Sequence, residues 1–313
     1  MKILVTGGSG MVGQYIKHLY ENKTEHTFVF LSSSMCDLRN RHETLCYFQE
    51  NSFDYIIHLA ANVGGLYKNM RRGIEMFSAN LKINENVLEA CHNYNIDRGI
   101  FILSSCIYPA NPSKFPMDES MVHESPPHNS NRGYAYAKRM LEMQCDQYNK
   151  TYNTEFICLT PVNLYGMYDN FKLGESHVIP ELMHRMYLTK KMDNEEKFGV
   201  YGTGKAYRQF IYAGDFAKII YDVLFDTRIK SGNLIICNDE VRIKDIVDLL
   251  CEVVNMDKEN IVYDTSKSDG CLKKTVSNEK FKKLYENFKF MELKEGLSKM
   301  YKWFDENYKN IRK

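Results

Sequence analysis

The sequence predicts an α/β protein built on a doubly wound parallel sheet, with a smaller C-terminal α/β part. Three observations lead there. An apolar run, Ile3-Leu-Val5, breaks directly into Gly7, Gly10 and Gly13 and then into a helical pattern that reaches about Glu21. Short apolar runs next alternate with longer amphipathic stretches: His26–Leu31, Tyr55–Ile57, Gly99–Leu103 and Phe156–Leu159 read as strands, and Asn40–Glu50, Asn69–Tyr94 and Gly133–Asn149 as helices. Strands and helices alternating at this spacing form parallel pairs joined by right-handed crossovers. From about Tyr168 the pattern changes to loops, short strands and separate helices at Val178–Leu188, Asp215–Phe225, Lys244–Val254 and Leu293–Glu306, while Gly232–Asn238 reads as a strand that rejoins the sheet. The expected division is residues 1–166 as a cofactor-binding domain, with a sheet contribution from about 207–240, and 167–313 as mostly substrate-binding.

Composition narrows the function classes. The chain has 313 residues, 44% hydrophobic and 26% charged, and is too long for one small core. Its net charge of +1 supplies no field for nucleic acid or an anionic membrane, so neither is expected as a partner. The nine cysteines form no C-x-x-C pair and the nine histidines no ligand spacing, which argues against a disulfide framework and against a metal centre. Scattered thiols in odd number suit a reducing compartment, and a cytoplasmic location is expected. No apolar run approaches the ~18 residues of a membrane helix. Met1–Thr6 turns into glycines at once and does not read as a signal peptide.

The glycines after the first strand are informative because of their context, strand then turn then helix. Gly7 permits the tight turn, Gly10 lets backbone approach a pyrophosphate, and Gly13 lets the helix pack close to the strand. Gly8, Ser9, Met11 and Val12 complete the turn, whose amides and helix dipole hold an anion. This is a dinucleotide cradle of Rossmann type. Where NAD-preferring folds carry an acid at the end of the second strand, this chain has Ser32-Ser33-Ser34. No carboxylate there opposes a 2′-phosphate, so NADP is expected over NAD, although the nearest arginine is Arg39. Asp37 would lie near the adenine, or cap the helix that follows. Small residues at His58-Leu-Ala-Ala61 and Asn62-Val-Gly-Gly65 leave room for the cofactor over the strand edge.

Tyr134 and Lys138 stand four apart on one helix and share a face. A phenol titrates near ~10, and a neighbouring ammonium is expected to favour its phenolate. Such a group exchanges protons with a carbonyl or alcohol oxygen. The fourth strand ends in Ser104-Ser105-Cys106, and ligands in open α/β sheets lie beyond the carboxyl ends of strands. Ser104 and Cys106 are therefore expected to face the same crevice as Tyr134 and Lys138.

The glycine loop, serine, tyrosine and lysine, in that order, resemble the extended short-chain dehydrogenase/reductases. Longer strings narrow the likeness: Val5-Thr-Gly-Gly-Ser-Gly-Met-Val-Gly13, Ser104-Ser-Cys-Ile-Tyr-Pro109, Pro126-Pro-His-Asn-Ser-Asn131, Ser176-His-Val-Ile-Pro180, Arg208-Gln-Phe-Ile-Tyr212 and Asp264-Thr-Ser-Lys-Ser-Asp-Gly270 resemble the GDP-L-fucose synthase family. The resemblance spans nearly the whole chain. It implies 3,5-epimerisation of GDP-4-keto-6-deoxy-D-mannose followed by NADPH-dependent reduction at C4. It further implies Cys106 as base and His177 as its acid partner, with His177 also near the cofactor, and Lys138 on the nicotinamide ribose. Pro161, Val162, Asn163 and Leu164 would wrap the nicotinamide end. Arg185 and Arg208 would bind the sugar-nucleotide diphosphate, where a planar fork suits phosphate oxygens. Asp269 would take the guanine or ribose end, with Lys267 and Lys274 as neighbours. The family's tryptophan in a W-G-x-G string is Tyr201 here, which can still stack or hydrogen-bond. Relatives of this fold often pair through a four-helix contact, so a homodimer is expected.

Two other readings stay open on the residues. A 4-epimerase or 4,6-dehydratase of the same fold would return its cofactor unchanged, but a dehydratase wants carboxylates where Ser105 and Cys106 stand. A nucleotide-sensing scaffold would keep the fold without needing the acid at Tyr134.

Overall fold

Continuous apolar runs form the centre of the protein, as strands covered on both faces must. The computed structural model describes residues 1–191, 197–267, 269 and 271–312; Ser268 and Gly270, in the last of the family-like strings, lie outside the described residues. Six strands run parallel: β1 (Lys2–Thr6), β2 (Thr27–Leu31), β3 (Tyr55–His58), β4 (Arg98–Ile102), β5 (Glu155–Pro161) and, returning from the second half, β9 (Gly232–Ile236). Their spatial order is β2-β1-β3-β4-β5-β9. Ile3, Leu4 and Val5 of β1 are fully buried. Helices α1 (Met11–Tyr20) and α7 (Ala213–Phe225) pack together, as do α2 (Arg41–Glu50), α4 (Gly73–Asn93) and α5 (Arg132–Tyr152). The chain leaves β1 toward β2 and then crosses back to β3, so the order reverses between β1 and β3. Crevices form at such a switch point, outside the carboxyl ends of the strands.

The second half builds two small sheets. In one, β8 (Tyr207–Tyr212) lies between β6 (Asn163–Tyr165) and β10 (Glu240–Arg242); in the other, β7 (Phe198–Tyr201) pairs with β11 (Ile261–Asp264). Around them stand α6 (Val178–Lys191), α8 (Ile243–Val254), α9 (Glu279–Leu284) and α10 (Leu293–Glu306). The expected return to the main sheet from about 207–240 is narrower: only Gly232–Ile236 joins it, and β8 serves the small sheet. The helix expected over Asn69–Tyr94 is two, α3 (Leu66–Arg71) and α4. Arg72, at φ −121° and ψ 36°, leaves helical geometry between them.

Arg98 shows how the two halves are tied. It opens β4, is 7% exposed, and donates to the carbonyls of Val223 (3.3 Å), Leu224 (2.7 Å), Asp226 (2.8 Å) and Ile229 (3.2 Å), while pairing with Glu155. Two of these carbonyls belong to the last turn of α7; that of Val223 also accepts from the Asp226 amide (3.3 Å), and that of Asp226 from the Ile229 amide (3.1 Å). Arg98→Met removes the side-chain donor that these four carbonyls share and a cation from Glu155. It is expected to lower stability by roughly 2–5 kcal/mol, read as an earlier midpoint in chemical denaturation; an unchanged midpoint would show the clamp to be dispensable.

Candidate active site

The glycine turn after β1 is shaped by two different demands. Gly7 has φ +68°, and a Cβ there would lie 2.8 Å from the amide nitrogen of Ala60, so both backbone conformation and the closeness of β3 require glycine. Gly13 abuts Gly8, whose carbonyl oxygen would lie 2.6 Å from an added Cβ. Gly10 differs. Its φ of −77° suits any residue, and its Cβ would meet only the Gly7 oxygen, at 3.2 Å. Glycine at 10 keeps space clear above the turn, at the start of α1, where Ser9, Met11 and Val12 also lie. A cradle with free amides and cleared space fits a dinucleotide pyrophosphate.

Asp37 is held by Arg39, with Nε–Oδ1 at 2.8 Å and Nη2–Oδ2 at 2.7 Å. Of the two readings left open for Asp37, capping falls to Asn40, whose side chain accepts from the Glu43 amide at 3.3 Å. Pro161 ends β5 and Val162, Asn163 and Leu164 lead into β6, at the same carboxyl edge of the sheet; Asn163 donates to the Gln209 carbonyl at 2.9 Å.

Ser104 follows β4 and caps a single 3₁₀ turn, Ser105–Ile107, by accepting from the Cys106 amide at 3.4 Å. Across from it α5 supplies Tyr134 and Lys138. The Lys138 ammonium lies 6.0 Å from the centroid of the Tyr134 ring and donates to the Ile102 carbonyl at 2.6 Å. Burial raises the Cys106 thiol, against the pull of Lys274, Ser104 and Lys138. Burial also raises the Tyr134 phenol, and Cys106 adds to that rise. The expectation that Lys138 lowers the phenol is therefore corrected for the free protein. Lys138 is itself desolvated, to about 8, and its ammonium is spent on a backbone carbonyl. A phenol kept protonated is a proton donor.

His177 stands just before α6. The loop leading to it closes on the segment between β3 and α3, where Gly65 donates to the Glu175 carbonyl at 3.2 Å and would clash with the Ser176 oxygen, at 2.8 Å, if it carried a Cβ. His177 is exposed in the ligand-free protein, and the surrounding protein still lowers its imidazole below the usual value by desolvation. No hydrogen bond joins it to Cys106 among the described residues. Arg185, on α6, donates to the Gly199 carbonyl at 2.6 Å and lies over the rings of Phe198 (4.8 Å) and Tyr201 (5.3 Å). Tyr201, 57% exposed, thus forms an open shelf beside a guanidinium. Arg208 donates to Cys271 (2.7 Å) and Asp269 (3.4 Å) carbonyls. The Asp269 carboxylate accepts from the Thr203 amide (2.6 Å) and hydroxyl (2.7 Å), pinning the turn at Gly202–Gly204. Any ligand contact there uses its remaining lone pairs. Lys267 is exposed, whereas Lys274 is partly buried, and that burial lowers its ammonium below the usual value.

Two polar features escaped the sequence. Behind Lys138 runs a buried column, Thr6 Oγ1 to His58 Nδ1 (2.8 Å) and His58 Nε2 to Asn84 Oδ1 (3.3 Å). Burial, then the Lys138 charge, drives His58 to about 3, so it stays neutral. The other is the partial burial of Lys274, a residue that the sequence offered only as a neighbour of Asp269. Neither belongs to a local motif, because both depend on long-range packing.

Comparison with known proteins agrees with this geometry. Residues 3–235 match the model of the NAD dependent epimerase/dehydratase family. The chain is 42% identical to GDP-L-fucose synthase of Dictyostelium discoideum, over 99% of this chain and 97% of that protein. It is 36% identical to a probable GDP-L-fucose synthase of Drosophila melanogaster, over 100% and 99%. Among solved structures it is similar to a GDP-L-fucose synthetase from Naegleria fowleri bound to NADP, with a TM-score of 0.92 and 36% identity, covering 100% of this chain and 95% of the other.

The cradle makes a testable distinction. Gly10→Val is expected to weaken NADPH binding at least about tenfold in titration calorimetry, while the melting temperature of the ligand-free protein stays within about two degrees. Unchanged affinity would remove the turn from the cofactor site.

Proposed function

This chain belongs to the NAD dependent epimerase/dehydratase family, in its GDP-L-fucose synthase group, and on that premise we propose that it converts GDP-4-keto-6-deoxy-D-mannose into GDP-L-fucose by 3,5-epimerisation and NADPH-dependent reduction at C4. The observation that carries the reading is the gathering of Ser104, Cys106, Tyr134 and Lys138 beyond the carboxyl end of β4, beside the glycine cradle of β1. Residues 1–166 with Gly232–Ile236 serve the cofactor, and most of 167–313 serves the sugar nucleotide. NADP(H) is held by the turn at Gly7–Gly13, with Asp37, Lys138, Pro161–Leu164 and His177 further along it; when bound it supplies the hydride for C4.

The ketone at C4 acidifies the protons at C3 and C5. Cys106, as thiolate, removes one of them, and the enolate oxygen that forms takes hydrogen bonds from Tyr134 and Ser104. His177 returns a proton to the same carbon from the opposite face, which inverts it. An imidazole suits this because its two forms both exist near neutral pH. In the reductive step Tyr134 gives its proton to the C4 alkoxide, and Lys138 stabilises the phenolate left behind. Arg185 and Arg208 take the diphosphate and Tyr201 and Asp269 the nucleoside, each already braced by the contacts described above.

A homodimer fits the outer face of α4 and α5. These helices leave an apolar hollow of about 460 Å³ lined by Gly73, Ile74, Phe77, Gly133, Tyr136 and Met140 among others, with Ile74 77% exposed. A second copy would cover it. The cytoplasm is the compartment we assign, because nine thiols, one of them the base, call for a reducing medium. No helix among the described residues is long and apolar enough to cross a membrane.

Purified protein given NADPH and the GDP-4-keto sugar is expected to consume one cofactor per sugar, followed by nicotinamide absorbance and product analysis; a cofactor returned unchanged would mean a 4-epimerase or dehydratase instead. Cys106→Ala is expected to stop deuterium from entering C3 and C5 in heavy water, and Tyr134→Phe to slow C4 reduction by about 10²–10⁴. Exchange at the normal rate in Cys106→Ala would mean another base. Ile74→Glu is expected to turn the dimer into a monomer by light scattering, and a monomeric wild type would refute the contact.

A further inference from the structure

Three buried polar side chains join the glycine turn to the helix of Tyr134 and Lys138. Thr6 ends β1, His58 ends β3 opposite it in register, and Asn84 stands on α4. The Ala60 amide donates to Thr6 Oγ1 at 3.2 Å, and Thr6 Oγ1 lies 2.8 Å from His58 Nδ1. His58 Nε2 lies 3.3 Å from Asn84 Oδ1, and Asn84 Nδ2 donates to the Ala137 carbonyl at 3.4 Å.

The two ends decide the sense of this column. A backbone amide only donates and a backbone carbonyl only accepts. Asn84 therefore turns its NH₂ to Ala137 and its oxygen to the ring, so Nε2 carries the ring proton. Nδ1 is then bare and accepts from the Thr6 hydroxyl, whose oxygen takes the Ala60 amide. Every bond points from the turn toward α5. The reverse sense would set the Asn84 oxygen against the Ala137 carbonyl, two acceptors face to face. A second ring proton, on Nδ1, would leave the Thr6 hydroxyl hydrogen without its acceptor.

Both ends lie at the chemistry. Ala60 packs against the turn, where a Cβ on Gly7 would stand 2.8 Å from its nitrogen. At the other end, Ala137 precedes Lys138. It lies inside α5, where the helix already supplies its carbonyl with a partner. The Asn84 bond is therefore additional; it settles where α5 stands, not whether its backbone is satisfied. His58 is also paired in register with Phe101, and the next residue of β4 is Ile102, whose carbonyl takes the Lys138 ammonium.

We infer that His58 is a positioning residue for the reductive step: held as the Nε2–H tautomer, it locks α5, and with it Tyr134 and Lys138, in register with the glycine turn. This rests on the reading of Tyr134 as the proton donor at C4. It gives the neutral imidazole a part in the reaction without contact with sugar or cofactor.

The test uses the full-length protein. In ¹⁵N spectra of histidine-labelled protein, with His58 identified by its loss in His58→Gln, a protonated Nε2 and a bare Nδ1 are expected. The opposite tautomer, or a ring protonated on both nitrogens, overturns the inference. Asn84→Leu and Thr6→Val are each expected to slow single-turnover C4 reduction, with NADPH bound beforehand, by about tenfold or more. Thr6→Ser, which keeps the hydroxyl, is expected to restore most of the rate. In Asn84→Leu the dissociation constant for NADPH, from titration calorimetry, is expected to stay within about threefold. A lowered melting temperature with an unchanged reduction rate would make the column structural only. A loss explained wholly by weaker NADPH binding would make it part of the cradle, and either result overturns the positioning role. Should Asn84→Leu fail to fold, Thr6→Val against Thr6→Ser carries the same comparison. A wild type that reduces no GDP-4-keto sugar would instead sink the functional reading itself.

Discussion

The bond from the Lys138 ammonium to the Ile102 carbonyl, 2.6 Å long and shut away from solvent, is the contact on which the site depends. It ties α5 to the last residue of β4. Because Tyr134 lies one helical turn earlier on the same face, fixing Lys138 also fixes the phenol over the end of the sheet. The next residues after β4 are Leu103 and Ser104, so the same bond sets the distance between the two hydroxyls. A buried ammonium becomes more costly with each positive charge that its surroundings add. The imidazole of His58 obeys this by remaining neutral within a hydrogen-bonded column to Thr6 and Asn84.

Charge is distributed across the cleft in a way that separates roles. The phenol is held protonated and the Cys106 thiolate is opposed by burial, while Lys274 and Lys138 pull the thiol the other way. Proton donation to an alkoxide thus needs no change in the resting state of Tyr134. Abstraction of a carbon acid does need a change at Cys106, and that is where the two lysines act. The two half-reactions are served by opposite departures from the ordinary behaviour of neighbouring groups.

Much of this was legible in the residues. The parallel sheet followed from apolar runs at β1, β3, β4 and β5, where local pattern and tertiary burial agree. The glycine turn was legible because Gly7 and Gly13 answer local steric demands, and Tyr134 and Lys138 because a helix fixes their relation. The short strands β7, β10 and β11 were not. Each has three or four residues and pairs with a partner distant in sequence, so no local period marks it. The break at Arg72 was hidden because Gly73 is also tolerated inside helices. The shift of the Tyr134 phenol was misjudged from sequence because spacing reveals the neighbouring cation but not the loss of water around both. Lys274 was visible only as a basic residue near Asp269; its partial burial depends on packing between segments distant in sequence.

The return of β9 to the side of β5 has a bearing on synthesis. Until Ile236 has left the ribosome, the outer edge of β5 has no covering strand, although five of the six strands of the sheet have already emerged. An unpaired, largely apolar border invites pairing with another nascent chain. The interval spans residues 162–231, and its length is set by the insertion of the small-sheet segments β6 to β8 between neighbours in space. Chaperone demand during translation is therefore written into the topology and should be greatest over that window.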